Sequence, residues 1–435
     1  MLQNIADKRD ALIESPADRA IRLTGQKIGG WFIVRYIAAL IGIWVALLTP
    51  ASVTLALRVG QIDPDGKATS LALVVSAGAA AALFANPIFG ALSDRSTSRF
   101  GQRRPFIVAG VLVGSLAVFA LGFASNIALV TVAWGAAQLA FNAAVAATIA
   151  ILPERVPTAL RGRVSGFMGM TTQAGVVGGV FLIQLVGTDG AGMFVWPAVL
   201  GVALMLPLIL TLKEVPKSRS EVDTISARAL IGALWVNPFK HRDFGLAWIG
   251  RCFVWTSLYL LTTYKTYFLI DHLGYTTKTV APILTAAMFI LAICIAVSSI
   301  PGGWLSDRIG RRKIFVVAAS LLFVIAMLVV AFATIVEHFL IGIGIAGIAN
   351  GLYLGVDYAL VAQVLPDSSS EAAKGMGVFN LSATIPQTLA PLLAPVILTV
   401  GAAPGSAGNY TSLYLSAAVL ALIGAGITQL IRGVR

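Results

Sequence analysis

Four charged side chains stand inside otherwise apolar stretches of this 435-residue sequence: Arg35, Arg251, Lys265 and Asp357. A charge surrounded by hydrocarbon is expensive, so such a residue pairs, reaches water along its own stem, or takes part in function. Arg35 and Lys265 lie near the ends of their stretches, where a long stem carries the charge to the interface. Arg251 lies about seven residues into its stretch and Asp357 about eight from the end of its own, roughly 10 and 12 Å deep at 1.5 Å per residue. An aspartate is too short to reach water from there. Two opposite charges at similar depth read as an ion pair. It serves either as a structural lock or as a carboxylate that binds and releases a proton as its arginine leaves and returns.

Beyond Arg251, the positions Trp255, Tyr259, Thr262 and Thr266 follow at intervals of three or four, which places them on one helical stripe. Asn350, Tyr353 and Asp357 share that spacing in a second stretch, and Gln138 and Asn142 in a third. Aromatic faces beside neutral hydrogen-bonding groups suit a sugar, which has apolar ring faces and a belt of hydroxyls. The same groups serve equally well as glue between helices. No nucleophile–base constellation, phosphate-binding glycine loop or metal-ligand cluster accompanies them, so neither an enzyme nor a cofactor is expected. His241, His272 and His338 fall at or near stretch ends, and Cys252 and Cys294 read as packing residues.

The elements that position these residues follow from composition. Hydrophobic residues make up 58% of the chain and charged ones 11%, against about 25% charged in a soluble protein. With a mean hydropathy of +0.88, one aqueous core could not hide so much apolar surface, and lipid must solvate much of it. Apolar spans run over 31–57, 69–92, 105–124, 127–151, 164–187, 192–212, 245–270, 280–304, 314–334, 339–364, 375–400 and 410–431. Some 30 mostly polar residues precede the first, unlike a cleavable signal peptide. The expectation is an all-α membrane protein of twelve transmembrane helices. A polar N-terminal segment covers 1–30, two six-helix bundles cover 31–212 and 245–435, and a linker covers 213–244.

Charge placement sets the orientation. Of 31 basic residues, Arg58, Lys67 and Lys278 fall on one side, Arg35, Arg251 and Lys265 fall within spans, and the remaining 25 share a side with both termini. Both termini are therefore expected in the cytoplasm, in a plasma (inner) membrane, and the net charge of +12 reads as a topology signal rather than a nucleic-acid one. The sequon Asn409-Tyr410-Thr411 falls on the outer side and matters only in a eukaryotic secretory route.

The two bundles also repeat. GALSDR at 90–95 recurs as GWLSDR at 303–308, LPE at 152–154 as LPD at 365–367, and Arg161-Gly162 as Lys374-Gly375, all at an offset of 213. In each copy a glycine (Gly90, Gly303) permits close helix approach and an acid (Asp94, Asp307) suits the positive end of a neighbouring helix. The basic residues Arg95, Arg103 and Arg104, with Arg308, Arg311 and Arg312, would hold the loops at an anionic leaflet.

The stretch GALSDRSTSRFGQRRP at 90–105 and its second copy GWLSDRIGRRK resemble the signature loop of the major facilitator superfamily. That resemblance implies two pseudo-symmetric six-helix bundles, spans one, four, seven and ten lining a cavity, and loops that latch the cytoplasmic gate in the outward-open state. More narrowly, SDRSTSRFGQRRPFIVAG at 93–110 is similar to the same loop in plant sucrose–proton symporters and related glycoside–cation symporters, as are ALLTP at 46–50 and LAWIG at 246–250. It implies a small-molecule solute, most simply a sugar or glycoside, carried with a proton or other cation by a monomer in the bilayer. Those symporters carry an aspartate in span four as the proton site. Here that span has only Thr131, Gln138, Asn142 and Thr148 as polar members. The alternative is a drug or metabolite efflux proton antiporter, for which GVVGG at 175–179 resembles an antiporter motif without its proline.

Overall fold

The computed structural model describes residues 22, 24–25, 28–214, 216, 241–364 and 369–432. Most of the expected N-terminal segment and linker, and the repeat copy Leu365-Pro366-Asp367, lie outside those residues. Among the described residues, twelve helices are long and apolar enough to cross a membrane. In chain order they are α1 (Gly30–Ile62), α2 (Lys67–Asp94), α3 (Arg104–Leu121), α4 (Ile127–Arg155), α5 (Thr158–Val186), α6 (Gly192–Thr211), α7 (Arg242–His272), α8 (Val280–Ile309), α9 (Arg312–Ala331), α10 (Val336–Val364), α11 (Ser369–Thr399) and α12 (Tyr410–Gln429). Each corresponds to one expected span.

Helices are forced because hydrocarbon satisfies no backbone group, and prolines inside them need compensation. Pro50 breaks α1 with a π turn over Pro50–Thr54, closed by the Leu55 N–H on the Pro50 carbonyl. In α11, Pro395 has no N–H to offer the Pro391 carbonyl four residues earlier. The Tyr264 hydroxyl of α7 serves that oxygen instead, at 3.0 Å. Asn409 caps α12, its Oδ1 accepting from the Ser412 N–H at 3.1 Å while its Nδ2 donates to the Val400 and Gly401 carbonyls. The sequon's asparagine is thus committed to the backbone around it.

Packing reproduces the sequence repeat. In the first half α1 packs on α5 and α6, α2 on α4, and α3 on α4 and α6; adding six to each number gives the packing of the second half. Between halves, α2 meets α11 and α5 meets α8, two interfaces that the same operation exchanges. The hydrogen bonds joining the halves gather at the end away from the termini, here the distal end. Ser76 Oγ donates to the Thr388 carbonyl at 2.6 Å, Tyr267 OH to the Ala56 carbonyl at 2.8 Å, and Tyr264 OH also reaches the Ala68 carbonyl at 3.1 Å.

Close approach depends on glycine at two equivalent helix pairs. A Cβ on Gly42 of α1 would stand 2.7 Å from the Gly201 carbonyl oxygen of α6, and one on Gly201 would stand 2.9 Å from the Gly42 oxygen. Gly250 of α7 and Gly424 of α12 face each other in the same way, at 3.3 and 2.9 Å. Because the obstacle is backbone, the helices themselves must separate. Gly42→Val and Gly424→Val should each destabilise the detergent-solubilised protein by about 1–3 kcal/mol, the usual cost of overpacking. Gly178→Ala, whose Cβ meets open space, should leave the thermal midpoint unchanged. Equal losses for all three would contradict this packing.

Candidate functional site

Two polar clusters occupy the helix interiors. On α7, Arg251 follows Gly250, whose backbone packs against Gly424 of α12. Arg251 Nη1 lies 3.2 Å from Asp357 Oδ2 on α10, and the two side chains are 2% and 4% exposed. Tyr353 stands one turn before Asp357 on the same helix and is 3% exposed. The guanidinium also lies 4.0 Å from the ring centroid of Phe379 on α11 and 5.6 Å from that of Trp255. Trp255 in turn packs on Tyr259 at 5.7 Å. Arg251, Asp357, Tyr353, Trp255 and Tyr259 are thus one cluster, and Phe379 joins it from α11, beside but not within that helix's polar stripe Asn380, Thr384 and Thr388. Cation–π contact offsets part of the desolvation of the guanidinium.

The second cluster is neutral. Asn142 Nδ2 donates to the Gln138 carbonyl at 2.8 Å and to its side-chain oxygen at 3.1 Å, and Asn86 of α2 donates to Asn142 Oδ1 at 2.9 Å. Gln138 and Asn142 are buried while Asn86 is exposed. Asn86 stands alone in its span, without a partner at helical spacing, so sequence reasoning passes over it. Asn350 is half-buried on α10, one turn before Tyr353, and joins neither cluster by a hydrogen bond among the described residues.

Several expectations need correction, beginning with Lys265 and Gly90. Lys265 does not reach the interface: it is 2% exposed, and Nζ turns back to donate to the Thr262 carbonyl at 2.6 Å. The expected reach to water fails because α7 continues beyond it to His272, with Tyr264, Tyr267 and Phe268 closing over that level. Gly90 has nothing within 4 Å of where a Cβ would stand, whereas its counterpart Gly303 lies against Gly355 of α10 at 3.1 Å. Only the second copy uses its glycine for close approach.

The loop between α2 and α3 is organised by Arg103, which is 3% exposed rather than turned toward headgroups. Its guanidinium donates to Asp94 Oδ1, to both oxygens of Glu154 at the end of α4, and to Ser93 Oγ. Asp94 therefore faces a guanidinium and not the N-terminus of a helix. That terminus is taken by Glu214, whose Oε2 accepts from the Arg103 and Arg104 N–H groups at 2.9 and 3.1 Å. Burial raises the Glu214 carboxyl above its ordinary range, against the two N–H groups and Arg155, which lower it. Gly101, with φ of +103°, makes room for the Glu214 side chain. Arg95 turns back onto the Ala91 carbonyl at 2.7 Å. The second copy is looser: Arg312 Nη2 reaches Asp307 Oδ1 at 3.1 Å, and Arg308 lies over the Trp304 ring. Arg311 directly precedes α9. Asp367, the counterpart of Glu154, lies outside the described residues.

The sequence pattern described as Major Facilitator Superfamily matches residues 65–298 and 277–434. Among curated proteins the chain is 51% identical over 45 residues to a sucrose transport protein of Arabidopsis thaliana, covering 10% of this chain and 9% of that one. It is 43% identical over 53 residues to a general alpha-glucoside permease of Schizosaccharomyces pombe, 12% and 10% of the two chains. It is 38% identical over 96 residues to a multidrug resistance protein of Klebsiella pneumoniae, 22% and 24% of the two chains. The matched stretch spans less than a quarter of each of these relatives. Among solved structures, a D-xylose–proton symporter superposes with a TM-score of 0.66 at 14% identity, over 93% of this chain and 98% of that one. A nucleoside transporter, NupG, does so with a TM-score of 0.71 at 14% identity, over 92% and 98%. These superpositions share the twelve-helix fold.

One guanidinium holding Asp94 and Glu154 together gives a direct test of the loop. Asp94→Asn keeps the shape and removes the charge that Arg103 neutralises, so it should slow initial transport at least about fivefold, the size of a typical coupling between conformational states. Solute affinity in detergent should change less. Equal losses in rate and affinity, or none in either, would contradict a gating role for this network.

Proposed function

The chain belongs to the Major Facilitator Superfamily, and from that premise we propose that this multi-pass membrane transporter moves a neutral, hydroxyl-rich solute, a sugar or glycoside, by alternating access with cation coupling. The observation that carries the reading is the presence of two complementary surfaces, one on α2 and α4 and the other on α7. A neutral amide chain, Gln138–Asn142–Asn86, offers donors and acceptors without net charge, and the Trp255–Tyr259 pair offers ring faces. The short matches to a sucrose transport protein and an alpha-glucoside permease support the same solute class.

In this reading both termini are cytoplasmic and the membrane is the plasma (inner) membrane, which the distribution of basic residues supports. The protein acts as a monomer of two six-helix bundles, 31–212 and 245–435, joined by a linker over 213–244. The distal end is then extracellular, and its inter-half hydrogen bonds describe a carrier shut toward the outside. Gln138, Asn142, Trp255, Tyr259, Asn350 and Tyr353 contact solute, and the Arg251–Asp357 pair carries the coupling proton. A pair buried this deeply is a poor device for stability alone, since apolar residues would serve as well. The match to a multidrug resistance protein favours a second reading, export of a drug or metabolite in exchange for protons.

Uptake of labelled sucrose and other glucosides into proteoliposomes, with and without a pH gradient, separates the two. The sugar reading predicts accumulation that an imposed gradient increases; gradient-driven extrusion of a cationic dye without sugar uptake would replace it with the efflux reading. Trp255→Ala and Gln138→Ala should weaken solute binding and leave a monodisperse protein with an unchanged melting point. Asp357→Asn should abolish concentrative uptake and keep solute exchange. Arg251→Ala should destabilise by about 3–5 kcal/mol because Asp357 is left buried without its partner, and Arg251→Ala/Asp357→Ala should recover much of that loss. Concentrative uptake by Asp357→Asn would remove Asp357 from the coupling role.

A further inference from the structure

Two ion pairs join the halves among the described residues, and they differ in kind. Lys278 and Asp189 stand 3.6 Å apart with side chains 76% and 70% exposed, a surface pair of little consequence. Lys67 Nζ lies 2.5 Å from Asp271 Oδ1, and these side chains are 19% and 7% exposed. Asp271 sits in the π turn Phe268–His272 that ends α7, and its second oxygen accepts from the Tyr410 hydroxyl of α12 at 2.6 Å. The carboxylate is therefore fixed to the second half on one side and reaches the first half on the other.

Lys67 is the first residue of α2, a helix with no acid in its first turn. A cation there opposes the helix dipole and weakens α2 taken alone. Its ammonium instead lies 5.2 Å from the ring centroid of Tyr267, whose hydroxyl already bonds α1 of the first half. Nearby, Asp63 accepts from the Gly66 N–H and from the Ser70 hydroxyl in the first turn of α2, and His272 stacks on Phe268. Every contact of Lys67 described here thus crosses between the halves.

We propose that Lys67 and Asp271, the latter braced by Tyr410, form the latch that holds the distal end shut, and that each transport cycle breaks and remakes this one ion pair. The proposal rests on the alternating-access reading, because a latch needs a second state. In that state α2 and α7 part at their distal ends, both charges become hydrated, and the loss of the contact sets much of the difference between the two states. The loop built on Asp94 and Arg103 lies at the opposite end and keeps all the contacts described above within the first half, so the two devices act at opposite faces.

The test uses the full chain in lipid, with Cys252 and Cys294 replaced by alanine and spin labels attached in pairs. One pair, at Asp65→Cys and Thr276→Cys, spans the distal end; the other, at Thr97→Cys and Ile309→Cys, spans the end that bears the termini. Lys67→Gln and Asp271→Asn should each raise the fraction of long distal distances about fivefold or more and shorten the other pair. The exchange Lys67→Asp/Asp271→Lys should restore the short distal distance, which a merely misfolded variant would not do. Distal distances that ignore both single variants, while Asp94→Asn still moves the terminal pair, would overturn the latch and leave alternating access standing. Should neither pair respond to any variant, both the latch and the carrier reading would fall.

Discussion

Hydrocarbon accepts and donates no hydrogen bonds, and every feature of this chain answers to that constraint. The backbone closes its bonds within helices, and where proline prevents this a side chain intervenes, as Tyr264 does for the Pro391 carbonyl. Charges obey the same rule. Arg251 enters the interior only with Asp357, Tyr353 and two aromatic faces around it, and Arg103 is buried only because Asp94, Glu154 and Ser93 converge on it. Lys265 has a single backbone carbonyl as its partner among the described contacts.

The same constraint shapes the two-fold repeat. Interfaces within each half are fixed by glycines whose replacement would push backbones apart, as at Gly42–Gly201 and Gly250–Gly424. Interfaces between halves rest instead on a few hydroxyl–carbonyl bonds and on Lys67–Asp271. Glycine-packed halves meeting through separable polar contacts suit the rocking motion proposed above, in which packing inside each half survives while contacts between halves exchange.

Much of the fold was legible in the sequence, because span length and the offset of 213 each report a global property. The Arg251–Asp357 contact was legible too, since matching depth on two apolar spans leaves few other partners. What escaped depends on neighbours that no spacing rule supplies. Asn86 has no polar partner at helical spacing, Phe379 is an apolar residue beside a polar stripe, Glu214 lies at the start of a polar stretch that reads as linker, and Lys265 reads as interfacial because apolarity fades before the helix ends. Asp94 was assigned to a helix terminus, yet a nearer guanidinium takes it and Glu214 takes the terminus.

The central claim is that solute and cation cross together through one site. Its most direct measurement is the external pH of a weakly buffered suspension of energised cells, or of vesicles of the same orientation, when a glucoside is added to the outer side. Coupled entry predicts a solute-dependent alkalinisation of the medium that an uncoupler removes and that Asp357→Asn lacks. Solute entry with no pH change, or an acidification that follows the solute, would contradict it.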